Sequence, residues 1–257
     1  MSYMKKKYII GNWKIELNQK ESLQTIKKIT NYIKQHPTNL LNKKIVIAPA
    51  IINISSVAPL ITGKNIVLAG QDVASKIQGA LTGETSVVDL KQQHCRYVLL
   101  GHSERRLYHG ETDSSVAGKM GLVTQHGLVP IICIGESLQD KKGHRSRQAI
   151  QRQLNTILDK KYFLPAKEVI IVYEPLWTIG QSKPLSLAET EKSLLMIRNL
   201  LKQSRFTHLQ MGSISVLYGG SINAQSARDY WQSSIIDGLL IGRASTSWQS
   251  FKEIIKL

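Results

Sequence analysis

The stretch that decides the fold reads VIIVYEPLWTIGQSK and covers residues 169–183. Its first four residues are apolar and β-branched, which predicts a strand buried on both faces. Glu174 therefore lies where this strand leaves the core. The loop that follows carries Leu176, Trp177 and Ile179, which are large apolar groups for a connection that should face water. Two interpretations stay open from this stretch alone: a lid that excludes water from a ligand, or a solvated strand end with a tryptophan plug.

Seven more apolar runs are predicted as strands, with amphipathic helical patterns between them. Capping signals precede two of those helices, Asn18-x-x-Glu21 and Ser186-x-x-Glu189. Strict alternation predicts parallel strands, and eight such units favour a closed (β/α)8 barrel, one domain over residues 1–257. An open doubly wound sheet is the alternative, but GNWK after the first run is not GxGxxG. The runs cover residues 8–13, 45–48, 66–69, 97–100, 129–134, 169–172, 214–217 and 238–241.

The composition indicates a globular chain with a strongly basic surface. Of 257 residues, 42% are hydrophobic, and the formal net charge is +16. Such a charge attracts nucleic acid, anionic lipid or a small anionic substrate. The lysines and arginines are scattered, however, and the dense runs at 5–7 and 141–147 contain no Phe, Trp or Tyr. We therefore expect a solvated basic surface without a dedicated nucleic-acid partner.

The cysteines and the N-terminus bear on the compartment. Cys95 and Cys133 form neither a CxxC pair nor a Cys/His metal spacing, which is typical of a reducing cytosol. The apolar run at residues 8–13 is too short for a signal peptide or a membrane span, and no later segment approaches about 18 uncharged apolar residues. We expect a cytoplasmic protein with no membrane partner.

Polar and charged residues follow several predicted strands. In a closed barrel the carboxyl ends of the strands meet at one mouth, where active sites lie. A lone histidine is more often structural. Together, however, Lys14, His102 and Glu174 offer a cation, an imidazole and a carboxylate, which suits acid–base work on a carbonyl compound. The glycine-rich ends of the last two strands expose N–H groups suited to phosphate. Those ends read YGGS at 218–221 and GRAS at 242–245.

Six segments resemble the signature segments of the triosephosphate isomerase family, in the same order along the chain. The resemblance implies a TIM barrel and an isomerase of glycolysis and gluconeogenesis. Its reaction would interconvert D-glyceraldehyde 3-phosphate and dihydroxyacetone phosphate through an enediolate. The segments are GNWK at 11–14, GALTGE at 79–84, GHSERR at 101–106, CIGE at 133–136, YEPLWTIG at 173–180 and YGGS at 218–221.

The resemblance implies a role for each acid–base residue. Glu174 would move the proton between adjacent carbons. His102 would polarise the carbonyl as a neutral imidazole, because a helix N-terminus disfavours its charged form. Lys14 would stabilise the negative charge of the enediolate, and Asn12 would hold a substrate oxygen. Glu104 would orient Lys14 or its surroundings.

The resemblance also implies a phosphate site, a lid and no metal or organic cofactor. The loop of residues 177–183 would close and keep water from the enediolate. Ser103 and Ile179 would support the site. The phosphate would be gripped by the backbone of Gly180, Ser221, Gly242 and Arg243.

A homodimer is implied by resemblance as well. Residues 79–84 resemble a loop that inserts into a partner subunit and places Thr82 near the other chain's site. Glu84 and Arg105 resemble structural and dimer-contact residues, and Cys133 is expected in the core.

Arg243 departs from the family pattern, which usually has a second glycine there. If the position needed φ > 0, an arginine would cost on the order of 1 kcal/mol or more. We expect ordinary backbone instead, with the N–H still serving and the side chain pointing away. A bolder hypothesis is that the guanidinium pairs with the ligand.

The lid departs too, because Thr178, Gln181 and Ser182 replace the family's more frequent Ala, Thr and Gly. We expect an altered kcat rather than lost activity.

Two other functions stay open. Another phosphate-binding barrel isomerase is one, because a fold does not fix a function, but it leaves the His102 and Glu174 segments unexplained. A basic surface that binds nucleic acid is the other, although no helix-turn-helix, RRM or zinc-finger pattern supports it.

Overall fold

The eight predicted strands form one closed barrel in a computed structural model of the chain. The structure describes residues 7–61, 66–162, 168–178, 183–203 and 214–257. All pairings are parallel and follow chain order, and the eighth strand closes the barrel against the first. This confirms the (β/α)8 barrel and rules out the open sheet. The strands are β1 Lys7–Asn12, β2 Lys43–Ala48, β3 Ile66–Gly70, β4 Cys95–Leu100, β5 Val129–Ile134, β6 Val169–Tyr173, β7 Ile214–Tyr218 and β8 Gly238–Ile241.

Helices cover the outside of the barrel. Between the second and third strands the helical segment is short, because the helix Ile54–Val57 is one turn long and runs into a 3-10 turn at Ala58–Leu60. Three short helices, Val87–Gln92, Leu138–Lys142 and Ala224–Gln232, have no counterpart in the sequence analysis. The short helix Ser103–Tyr108 supplies the helix N-terminus that the resemblance implies at His102. The helices in the described part are α1 Gln19–Gln35, α2 Ile54–Val57, α3 Val87–Gln92, α4 Ser103–Tyr108, α5 Asp113–Gln125, α6 Leu138–Lys142, α7 Ser146–Ile157, α8 Leu187–Leu201, α9 Ala224–Gln232 and α10 Trp248–Ile255.

The two predicted caps begin their helices as expected. Asn18 accepts from the N–H of Glu21 at 2.9 Å, and the Glu21 carboxylate accepts from the N–H of Asn18 at 2.9 Å, which is a complete capping box. Ser186 accepts from the N–H of Glu189 at 3.3 Å and donates its hydroxyl to the same carboxylate at 2.7 Å. These bonds satisfy N–H groups that have no partner inside the helix.

The core has two layers because successive side chains of a strand point to opposite faces. One layer fills the barrel interior, where Ile10, Leu99 and Val172 are fully buried. The other lies between the strands and the helices. At the amino end of the barrel the hydroxyls of Tyr8 and Tyr97 both donate to Glu168, so packed side chains close that end. Among the described residues, no helix has the length and hydropathy needed to span a membrane.

Gly135, just after β5, leaves room for the end of β6. A Cβ at this position would lie 2.0 Å from the carbonyl oxygen of Glu174, which is backbone and cannot rotate away. We expect Gly135→Ala to lower the free energy of unfolding by about 1–3 kcal/mol. It should also lower kcat, because Glu174 has to shift. Urea unfolding and steady-state kinetics measure the two effects.

The matched control is Gly118→Ala in α5, where a Cβ meets no atom within 4 Å. Alanine suits a helix interior better than glycine does, so this variant should be at least as stable as the parent. If Gly135→Ala and the parent have the same free energy of unfolding, the end of β6 can shift to admit the Cβ without loss of stability.

Candidate active site

The carboxyl ends of three strands bring Lys14, His102 and Glu174 together. Nε2 of His102 lies 3.2 Å from Oε1 of Glu174. Lys14 donates from Nζ to Glu104, whose other carboxylate oxygen lies 3.6 Å from Nδ1 of His102. A continuous chain of polar contacts therefore runs from the end of β1 through the start of α4 to the end of β6. It places a cation, an imidazole and a carboxylate in one pocket.

His102 is held at the N-cap of α4, where its side chain caps the helix. Nδ1 accepts from the backbone N–H of Glu104 at 3.3 Å, so this nitrogen carries no proton. The ring proton of the neutral imidazole is then on Nε2, which faces Glu174. Because His102 is only 6% exposed, water contributes little to its choice of tautomer.

Burial and charge oppose each other in this pair. Burial lowers the pKa of His102, but the carboxylates of Glu174 and Glu104 outweigh it, and the net shift of the pKa is upward. Burial raises the pKa of Glu174, but His102 and hydrogen bonds from Ser103 outweigh that effect, and the net shift is downward. The Ser103 N–H donates to Oε2 at 3.1 Å. Glu174 is therefore ionised at neutral pH in spite of its burial.

Removing the charge of Glu174 should reverse the shift at His102. In Glu174→Gln the largest raising influence is gone, while burial and Lys14 still lower the pKa. We expect the pKa of His102 to fall relative to the parent, measured by NMR titration of its imidazole nitrogens. Glu104→Gln should produce a smaller fall, because Glu104 is the weaker influence. An unchanged His102 pKa in Glu174→Gln would contradict this electrostatic account.

The backbone at Lys14 is strained and held by polar neighbours. Its φ is 50°, which few residues other than glycine adopt. Its N–H donates to Oδ1 of Asn12 at 3.1 Å, and its carbonyl accepts from Nε2 of Gln71 at 2.8 Å. Gln71 also donates to the carbonyl of Ala48 at 3.0 Å, so it ties the ends of β1 and β2 together. The sequence analysis missed Gln71, although a polar residue directly after the third strand was a usable signal.

Trp177 is anchored rather than loose. Its indole N–H donates to Glu136 at 3.0 Å, and the hydroxyl of Tyr173 donates to the same carboxylate at 3.1 Å. Nζ of Lys141 lies 5.2 Å from the ring centroid on its face. Glu136 is 1% exposed, so the start of the apolar loop is fixed to the core. The sequence analysis had quoted Glu136 only as part of the segment CIGE, without a role for its side chain.

The rest of the apolar loop lies beyond the described residues. The predicted contributions of Ile179, Gly180, Gln181 and Ser182 fall in that part and stay predictions. Thr178 is described: it is buried, and its hydroxyl donates to the carbonyl of Pro175 at 2.8 Å.

The ends of β7 and β8 complete the rim of the pocket. Ser221 has a φ of 48°, the left-handed conformation, just after two glycines. A Cβ at Gly242 would lie 3.8 Å from Nζ of Lys14, so the β8 end and the β1 end face each other. Arg243 begins a 3-10 turn, Arg243–Ser245, and is not among the residues with positive φ. The arginine therefore sits in ordinary backbone and carries no strain.

Arg105 lies outside the acid–base group. Its Nε lies 2.7 Å from Asp72, which Lys119 also contacts at 2.7 Å, and Glu111 completes this largely buried cluster. The cluster joins the end of β3 to α4 and α5. Cys133 is buried as expected, and its burial raises the pKa of its thiol.

Comparison with known proteins agrees with this geometry. The family model described as triosephosphate isomerase matches residues 7–257. The triosephosphate isomerase of Psychromonas ingrahamii is 35% identical over 253 residues, covering 98% of this chain and 99% of that protein. The triosephosphate isomerase of Buchnera aphidicola is 35% identical over 255 residues, covering 99% of this chain and 98% of that protein. That of Fusobacterium nucleatum is 35% identical over 253 residues, covering 98% of this chain and 99% of that protein. A match of this extent, on a barrel with this pocket, means that the chain belongs to the triosephosphate isomerase family of enzymes.

Proposed function

We propose that the chain interconverts D-glyceraldehyde 3-phosphate and dihydroxyacetone phosphate through an enediolate, with Glu174 as base and His102 as electrophile. The observation that carries this proposal is the buried Glu174–His102 contact of 3.2 Å at the mouth of the barrel. An ionised carboxylate beside a ring N–H is the pair that proton transfer next to a carbonyl requires.

Glu174 takes the proton in the first step. The C–H bond breaks, its proton moves to the carboxylate, its electron pair forms the C=C bond, and the carbonyl oxygen becomes an oxyanion. The proton then returns to the neighbouring carbon as the C=C electron pair forms the new C–H bond. The other oxygen loses its hydroxyl proton and becomes the new carbonyl, and the first oxygen gains a proton and becomes the new hydroxyl. The lowered pKa of Glu174 supports this role, because only the ionised carboxylate can accept a proton.

His102 donates its Nε2–H to the substrate oxygen on which charge develops. Its charge state follows from the same pair. Once Glu174 has taken the proton it is neutral, so the strongest influence that raises the His102 pKa is lost. Burial and Lys14, which both lower that pKa, remain. Both remaining influences favour the neutral imidazole during that step, which is the form that the resemblance implies.

Lys14 and Asn12 act on the same oxyanion. The strained backbone of Lys14, its bond to Asn12 and its contact with Glu104 fix the ammonium before the substrate arrives. Charges fixed in advance need no reorganisation when the transition state forms. The phosphate would lie against backbone N–H groups of Ser221, Gly242 and Arg243, joined by Gly180. No step of this scheme draws on a metal or an organic cofactor.

A coupled assay in both directions tests the proposal. The parent enzyme should isomerise both triose phosphates, and in D2O the product should carry solvent deuterium at the carbon that receives the proton. A panel of other phosphorylated sugars separates this function from that of another phosphate-binding barrel isomerase. Turnover of another sugar but not of the trioses would overturn it.

We propose further that two copies of the chain form a homodimer through one side of the mouth. The segments that follow β1, β2, β3 and β4 carry large apolar side chains that face solvent in the single chain; in the segment after β4 this side chain is at the end of α4. These strands are neighbours, so the segments begin side by side. Apolar surface of this extent favours a protein partner. The exposed fractions are 90% for Ile15, 79% for Ile52, 45% for Ile77 and 74% for Tyr108. The proposed contact includes residues 79–84.

A charge placed in this surface should separate the copies. We expect the parent to sediment at twice its 28.8 kDa chain mass and Ile52→Asp to shift toward the monomer. Activity should fall as well, because the exposed Ile15 adjoins Lys14. Leu195→Asp is the control: Leu195 is 45% exposed on α8, and the dimer should persist. A monomeric parent would rule out the proposed contact.

A further inference from the structure

Arg243 has no electrostatic partner in the part of the chain that the structure describes. Its side chain is partly buried at the rim, and its guanidinium makes no hydrogen bond, ion pair or ring contact there. Other partly buried arginines behave differently: Arg105 pairs with Asp72, Arg106 with Asp113 and Arg198 with Asp237. A partly desolvated cation without an anion is unfavourable unless something else supplies the negative charge.

Its position is next to the acid–base residues. Arg243 directly follows Gly242. A Cβ built on Gly242 would lie 3.8 Å from Nζ of Lys14, so the ammonium of Lys14 is close to this part of the backbone. The preceding strand pairs with β1 through Gly11 and Ile241, which fixes this proximity in the barrel itself. The side chain of Arg243 therefore starts from the rim that borders the proposed phosphate position.

The charge balance of the pocket points the same way. Lys14 is already paired with Glu104, and Glu174 adds a second carboxylate. The charges of Lys14 and Glu104 cancel, and the Glu174 carboxylate leaves a negative charge beside His102. A phosphorylated substrate is an anion, which that carboxylate repels. A guanidinium at the rim offsets that charge and prefers planar, bidentate pairing with phosphate.

We propose that the guanidinium of Arg243 binds the substrate phosphate directly, in addition to the backbone N–H groups. This inference rests on the proposed function, because it takes a triose phosphate as the ligand. It makes Arg243 a determinant of affinity for the phosphate group, and so of preference for phosphorylated over unphosphorylated trioses.

The test compares Arg243→Gln with Arg147→Gln, which removes the same charge from an exposed position in α7. Inorganic phosphate serves as the probe, both as a competitive inhibitor and in direct titration calorimetry. We expect Arg243→Gln to raise the KM for glyceraldehyde 3-phosphate and the Kd of phosphate together by about 10-fold, with kcat nearly unchanged. Arg147→Gln should leave both constants within about 2-fold, because distant exposed charges are screened by salt. Arg243→Lys should recover part of the loss.

The outcomes separate the two proposals. If the parent isomerises trioses but Arg243→Gln binds phosphate as well as the parent does, the assignment of Arg243 is wrong and the proposed function stands. If the parent does not isomerise trioses, the proposed function fails, and the calorimetric Kd still decides whether Arg243 binds phosphate. Equal losses in Arg243→Gln and Arg147→Gln would also overturn the direct contact, since a general field would then explain both.

Discussion

Glu174→Gln is expected to lower kcat by about 10³-fold while KM changes little. The amide has nearly the shape of the carboxylate, and its oxygen can still accept from the N–H of Ser103, which donates to Glu174 at 3.1 Å. It cannot accept a proton from carbon. The proton-transfer step therefore loses its proposed base, whereas the groups proposed to hold the substrate stay in place.

Steady-state kinetics in both directions measure this effect, with Glu253→Gln in α10 as the control. Glu253 is exposed and pairs only with the nearby Lys256 in the described structure, so its loss should leave kcat unchanged. If the kcat of Glu174→Gln lies within about 10-fold of that of the parent, Glu174 is not the base. The thermal midpoint of both variants should be recorded, so that a folding defect is not taken for lost chemistry.

The barrel was predictable because its signals are local. Buried parallel strands are short continuous apolar runs, and β5 and β8 begin and end at the predicted residues. Short helices carry too few turns to show a period, which is why α3 and α6 were missed. Closure of the sheet then places every strand end at one mouth, so residues distant along the chain could be grouped before any distance was known.

What the sequence could not supply is the network between those residues. The contacts of Glu104 with both Lys14 and His102, and of Gln71 with two strand ends, depend on distances between separate strands. The opposing shifts of the His102 and Glu174 pKa values also depend on a contact across the barrel. The apolar character of the loop after β6 could be read from the sequence, but the hydrogen bond from Trp177 to a buried carboxylate could not. The cytoplasmic location and the lack of a nucleic-acid partner stay predictions.

We expect Lys14→Gly to lower activity strongly while it leaves the stability of the fold nearly unchanged. Loss of the ammonium from the proposed oxyanion site is expected to lower kcat/KM by about 10²- to 10³-fold. The free energy of unfolding should stay within about 1 kcal/mol of the parent, because glycine adopts φ of 50° without strain. Loss of the ion pair with Glu104 lowers the free energy of unfolding only slightly, since the two side chains are 32% and 34% exposed.

Lys14→Met is the matched comparison, because it removes the charge but keeps a side chain on the strained backbone. Both variants should lose activity to a similar degree, while urea unfolding should find Lys14→Gly the more stable by about 1 kcal/mol. A less stable glycine variant would show that the left-handed backbone costs the parent nothing. The expected order means that the fold gives up stability at residue 14 to hold a cation in the pocket, where a glycine would fold better and catalyse worse.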